Sequence, residues 1–190
     1  MQKKTIDKTN RILLVINFIV LSSILAFLIY SFMIAENITL PFFPTNVEEV
    51  SSLADLSIVG YDKFSVEVGV SDDTGVITLT SGCYQIVATT EYYQAESIAN
   101  GLAGRIGARP NSHDTIASVF KNLGIKVLTV KITELRNSTF ISTMILQQGN
   151  NILSVDSRPS DAIAIGVRMK TDEFYIKDDL LKEQGRNICS

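Results

Sequence analysis

The sequence predicts an α+β fold: one compact domain with a mixed or antiparallel sheet and three to four helices, preceded by one transmembrane helix. Three observations carry this. Residues 12–35, "ILLVINFIVLSSILAFLIYSFMIA", hold no charge and exceed the roughly 20 residues that cross a bilayer as a helix. From residue 64 onward, two-residue and 3.6-residue periods come in runs rather than in strict alternation, which favours α+β over a parallel βαβ layout. The chain has 190 residues, room for one domain of about 100–150 residues plus an appendage.

Residues 1–11 read as a basic tail. Lys3, Lys4, Lys8 and Arg11 precede the apolar run, and no Lys or Arg follows it until Lys63. By the positive-inside rule the N-terminus lies in the cytoplasm and the domain on the far side, as a single-pass membrane protein held by residues 12–35. The run is longer than the apolar core of a secretory signal, so an uncleaved anchor is the reading, with cleavage after Ala35 the alternative. Residues 36–62 contain Pro41, Pro44 and several serines and show no sustained period. They read as a linker with one short helical turn near 47–56. The domain is expected over 63–184 and a tail over 185–190. Cys83 and Cys189 pair or stay free according to a separation that sequence does not give. Asn37-Ile38-Thr39 and Asn137-Ser138-Thr139 match the glycosylation sequon, which matters only for an exported domain.

Within the domain, Phe64, Val66, Val68 and Val70 alternate with polar residues or glycine, the signature of a half-buried strand. A turn over 71–75 leads to a second strand over 76–80, and a third is expected over 84–89. Ala95, Ile98, Ala99, Leu102 and Ile106 recur at three- and four-residue spacing, so a helix is expected over 92–106, weakened by Gly101 and Gly104. Ser112 is the natural N-cap of a second helix over 113–123, closed by Gly124. Strands over 125–133 and 139–148 and a short one ending near 155 follow. An Ala-Ile helix, a strand over 173–177 and a helical turn over 178–184 close the domain. Residues 162–167 are apolar nearly all round and must be core or a subunit interface. Together with the alternating strands they predict a homo-oligomer.

Two segments share one grammar, "RPNSHD" from Arg109 to Asp114 and "DSRPSD" from Asp156 to Asp161. Each proline suits helix entry, because its φ is fixed and it needs no hydrogen-bond acceptor. Each closing acid sits in a first helical turn, where the helix dipole favours it by about 0.3–1 kcal/mol. Capping explains an acid and a proline. It does not demand Arg109, Arg158, Asp156 or His113. In the functional reading these residues converge: Asp156 and Asp161 flank one tight turn and hold a divalent metal, and Arg158 clamps a phosphate. His113 then serves as general base or ligand, with Asp114 orienting its ring. Tyr92 and Tyr93 offer either stacking faces for bases or half-buried packing.

Charge weighs against a strong nucleic-acid binder. Of 17 Lys+Arg and 20 Asp+Glu, residues 1–35 hold four and one, which leaves 13 against 19 and a net charge of −6. That is not the electrostatic footprint of tight phosphate-backbone binding. Kinase, ATPase and hydrolase readings are poor, since the sequence has no cysteine cluster, Gly-rich phosphate loop or Gly-x-Ser-x-Gly elbow.

The ordered set "ARPNSHD", "STF", "VDSRPSDAIAIGVR" and "EFYIKDDLL" resembles the bifunctional nuclease family across residues 63–184. Residues 158–164 are the most specific piece, and Arg109-Pro110 with His113-Asp114 the second. The resemblance implies a compact α+β domain that associates with copies of itself and cleaves DNA and/or RNA phosphodiesters with Mg²⁺ or Mn²⁺. Carried onto this chain, it implies catalytic roles for His113, Asp114 and Asp161, substrate binding by Arg109 and Arg158, and metal binding by Asp156, Asp161 and Glu96. One departure stands out. Where the family usually has Ile-Gly-x-x-Glu-Ala, this chain has Thr90-Glu91-Tyr92-Tyr93-Gln94-Ala95. Gln94 thus replaces the family glutamate, and Glu91 or Glu96 is left to substitute for it. The alternative is a non-enzymatic, self-associating or partner-binding module of the same fold.

Overall fold

The structure, a computed structural model, describes residues 2–35, 56–71 and 73–189. Most of the expected linker, including its helical turn near 47–56 and the sequon at Asn37, lies outside the described residues. The chain divides into two compact units, Met1–Val47 and Glu48–Ser190.

The first unit contains helix α1, Gln2–Ala35. Among the described residues, no helix is long and apolar enough to cross a membrane. This overturns the transmembrane helix expected over 12–35, the membrane as a partner through those residues, and the single-pass localisation. The basic tail loses its meaning with them, because the positive-inside rule orients a span and does not establish one.

The second unit runs β1 Tyr61–Lys63, β2 Ser65–Val70, β3 Thr74–Ser81, β4 Tyr84–Glu91, α2 Tyr92–Leu102, α3 Ser112–Asn122, β5 Ile125–Arg136, β6 Thr139–Gln148, β7 Asn151–Ser157, α4 Pro159–Met169, β8 Phe174–Lys177, α5 Asp178–Gln184 and β9 Arg186–Asn187. The α+β class holds, with two sheets where one was expected. A five-stranded sheet has the order β1-β8-β5-β6-β7 and a four-stranded sheet the order β2-β3-β4-β9. In the first, only the β5–β8 pair is parallel, because α4 carries the chain back across the sheet from β7 to β8. The second is antiparallel throughout.

Local chemistry accounts for most boundaries. Asn137 and Ser138 take φ of 50° and 62° between β5 and β6, a two-residue turn whose twist matches the strands it joins. The second sequon sits in this turn. Helix α2 stops at Leu102, four residues before the expected end, and Gly104 at φ 63° terminates it in the left-handed conformation that glycine adopts without steric penalty. Strand β5 outruns its expected end at 133 because register shifts at Val127/Thr129 and Ile132/Glu134 break the two-residue period. Strands β1 and β9 lie in the expected linker and tail. They are too short to show a period, and pairing with β8 and β4 defines them.

Helix α4 forms the centre of the unit. Ala162, Ile163 and Ala164 are at most 1% exposed, and the helix packs on α2, α3, β5 and β6 of the same chain. Gly166 permits its close approach to β8, since a Cβ there would meet the Phe174 ring at 2.9 Å. The covering that the sequence left open between core and subunit interface is therefore supplied within one chain. The expected homo-oligomer loses its main motive.

Cys83 and Cys189 form a disulfide, with Cα atoms 5.2 Å apart and a sequence separation of 106. It fastens the chain end beside β4, where Ile188 N donates to Cys83 O at 2.9 Å. A cross-link over so long a loop removes much of the freedom of the unfolded chain. Cys83→Ser is expected to lower stability by about 2–4 kcal/mol in urea unfolding of the oxidised protein. If the variant and the parent unfold at the same urea concentration under oxidising conditions, the disulfide is not stabilising.

Candidate functional site

The site forms where α2, the start of α3 and the start of α4 meet. Asn111 N-caps α3 in place of the expected Ser112: its side chain accepts from Asp114 N at 2.9 Å, and Asp114 Oδ2 accepts from Asn111 N at 2.9 Å. This reciprocal pair satisfies two of the free donors at the helix start. It also fixes His113 in the first turn.

Both ring nitrogens of His113 are engaged. Nδ1 lies 2.9 Å from Ser97 Oγ on α2, and Nε2 lies 3.2 Å from Asp161 Oδ1 on α4. Asn111 Nδ2 donates to the same Ser97 oxygen at 2.9 Å. Ser97 therefore has its one proton to give to Nδ1, and Nε2–H donates to Asp161. The hydrogen-bond network assigns this tautomer. Asp161 is held from its other side by Arg158, whose Nε donates to Oδ2 at 2.8 Å and whose Nη2 donates to Oδ1 at 3.3 Å. With its amide oriented so that the nitrogen donates to Thr90 Oγ1, Gln94 accepts from Arg158 Nη1 at 3.0 Å and Nη2 at 3.1 Å.

The side chains step outward from His113 at 13% exposure through Asp161 at 26% to Arg158 at 67%. They line a cleft of about 380 Å³ together with Gln94, Ser97 and Tyr93. Tyr93 is 79% exposed at this cleft and meets Tyr92 edge-on at 5.3 Å. Half-buried packing therefore describes Tyr92 and not Tyr93.

Of the predicted site residues, the fold brings together His113, Asp161 and Arg158. Asp114 does not orient the His113 ring. Its Oδ1 instead accepts from Arg168 Nε at 2.6 Å, with the two side chains 8% and 6% exposed. Burial pushes the Asp114 carboxyl up, but hydrogen bonds from Arg168 and from Asn111 N, with the charges of Arg168 and His113, outweigh it and leave the group below its usual range. Arg109 is exposed in the loop before α3, and Asp156 is exposed on β7 opposite Thr143. Neither lines the cleft. Glu96 accepts from Tyr92 Oη at 3.4 Å.

The donors expected for Mg²⁺ or Mn²⁺ thus stand on three separate elements, and both oxygens of Asp161 are already engaged. Among the described residues, no group of three or more His, Cys, Asp or Glu side chains gathers closely enough to hold a metal ion. Asp156, Asp161 and Glu96 do not fit such a centre as arranged, and no step is derived through one.

Sequence reasoning missed Ser97, Asn111 and Arg168, and marked Gln94 only as the replacement of the family glutamate. The Asn111-x-x-Asp114 spacing is a readable helix-start signal. Tyr93, Gln94 and Ser97 share one face of α2 at three- and four-residue spacing. Nothing local marks Arg168.

The family model described as the bifunctional nuclease domain matches residues 85–188, from early β4 to just past β9. Strands β1 to β3 fall outside the match, which starts later than the expected 63. Two uncharacterized proteins of Mycobacterium tuberculosis, from strains CDC 1551 and H37Rv, are each 30% identical over 92 residues, covering 48% of this chain and 54% of theirs. The chain spans about half the length of the curated relatives it matches.

Proposed function

The chain belongs to the bifunctional nuclease domain family, and on that premise we propose that the cleft between α2, α3 and the start of α4 binds and cleaves nucleic-acid phosphodiesters. The carrying observation is the unbroken hydrogen-bonded row Ser97, His113, Asp161, Arg158, which runs from buried to exposed. Arg158, fixed by Asp161 and Gln94, keeps one Nη1 hydrogen to donate to a phosphate oxygen. Asp161 is the more exposed member of the His113–Asp161 pair and takes the proton of the attacking water as the water's oxygen bonds to phosphorus, then returns it to the leaving oxygen as that P–O bond breaks. His113 donates to it from Nε2 and fixes its direction, while Ser97 and Asn111 hold the ring. Tyr93 at the cleft gives an adjoining base a stacking face.

A specific observation favours the second reading, a partner-binding or self-associating module. Arg158 is neutralised by Asp161, the residues after 35 carry a net charge of −6, and no metal-binding group forms among the described residues. In that reading the cleft only caps two helices. The deciding experiment incubates purified full-length protein with single-stranded RNA and DNA, with Mg²⁺, with Mn²⁺ and with chelator. Cleavage that the cleft variants lose supports the nuclease. A parent that cuts neither substrate under any condition leaves the binding module.

A further inference from the structure

We propose that a second cleft, sharing no lining residue with the first, is a binding site for phosphate groups. It encloses about 460 Å³ between the end of α2, the loop after it, α3 and the end of α4. Four cations line it, Arg105, Lys121, Arg168 and Lys170, against one acid, Asp114. Asp114 is taken up by Arg168, which leaves an excess of three positive charges in one concavity of a net-negative domain. Arg105, Lys121 and Lys170 are exposed and form no ion pair among the described residues.

The second observation is Arg168 itself. Its side chain is 6% exposed, Nε and Nη1 are committed to Asp114 and to Ala164 O, and Nη2 is buried with no hydrogen-bond partner. A buried guanidinium group with an uncommitted nitrogen calls for an acceptor. The backbone accommodates this arginine at a specific point, because a Cβ on Gly101 would stand 2.8 Å from Arg168 Nη1. Lys121 and Lys170 also stand where helices α3 and α4 end, and the helix dipole favours cations there. That accounts for two lysines and for neither Arg105 nor the orphaned Nη2. Leu102 and Ile106 add an apolar wall, so the ligand that fits is a phosphate carried on a less polar body, supplied as a free phosphoester or as part of a nucleic-acid strand.

The proposal is independent of cleavage and stands if the parent never cuts. Titration calorimetry of full-length protein at low salt uses inorganic pyrophosphate as the probe. The parent is expected to bind it, and the Lys121→Gln/Lys170→Gln double variant to bind at least about 10-fold more weakly while its melting temperature falls by no more than a few degrees, since exposed charges are little screened at low salt and each lysine is favoured only modestly by its helix dipole. Lys126→Gln, a charge change on an exposed residue of β5 outside both clefts, should bind like the parent. Displacement of pyrophosphate by a short single-stranded oligonucleotide assigns the site to a strand, and failure to displace assigns it to free phosphoesters. No heat with pyrophosphate, equal binding by the double variant, or an equal loss of binding in Lys126→Gln overturns the proposal.

Discussion

Asp161→Asn is expected to slow phosphodiester cleavage by about 100-fold or more, while the melting temperature moves by only a few degrees. The substitution keeps the shape but removes the proton-accepting oxygen beside His113 Nε2. Its structural cost is bounded. The acid sits in the first turn of α4, where its interaction with the helix dipole is worth about 0.3–1 kcal/mol. Its ion pair with Arg158 has one partner 67% exposed, so solvent screening limits that contribution to about 0–1 kcal/mol. His113→Ala should fall in the same direction by a smaller factor, because it removes the positioning hydrogen bond and leaves the carboxylate in place. The measurement pairs cleavage rates with melting temperatures for the parent and both variants. Folded variants that cut as fast as the parent would leave the row of hydrogen bonds a purely structural device.

Arg168→Met is expected to destabilise the domain by about 3–5 kcal/mol, the largest stability effect we anticipate. Removing one member of a buried pair strands the other charge without compensation. Asp114 would keep its bond to Asn111 N but lose Arg168 Nε at 2.6 Å. Chemical denaturation of parent and variant reads this directly, and a loss under 1 kcal/mol would show that the pair is dispensable. The same pair sets a pH dependence. The folded Asp114 carboxyl is held below its usual value of 3.8, so the stability it contributes is present above that value. It is lost as pH falls through the lowered folded value. Denaturation followed from neutral pH downward should show this acid-side loss in the parent, and its absence in Arg168→Met. Because Arg168 carries this structural load, the phosphate-site test uses Lys121 and Lys170 instead.

Much of the fold was legible from local signals. The alternation Phe64, Val66, Val68, Val70 marked the first long strand, Gly124 the close of α3, and Arg158-Pro159 the entry of α4. The apolar run 162–167 could only be buried, and it is. The readable features share a physical cause, since each depends on residues within one or two turns of one another. The failures share the complementary cause. Register shifts broke the period within β5, β1 and β9 are too short to have one, and an uncharged run was taken for a span on composition alone.

The sequence by itself determined the α+β class, the helix starts that place His113 and Asp161 in first turns, and the supply of cations and acids. Only the tertiary structure decided which of them meet. Asp114 is next to His113 in sequence, yet it binds Arg168, 54 positions away, while Asp161, 48 positions away, takes the ring. Ser97 on α2 completes the contact, and Cys83 finds Cys189 across 106 residues. The reason is geometric. A helix start aims neighbouring side chains in different directions, roughly 100° apart about the axis, so adjacency along the chain separates them. Packing α2 and α3 onto the central α4 then selects the partners.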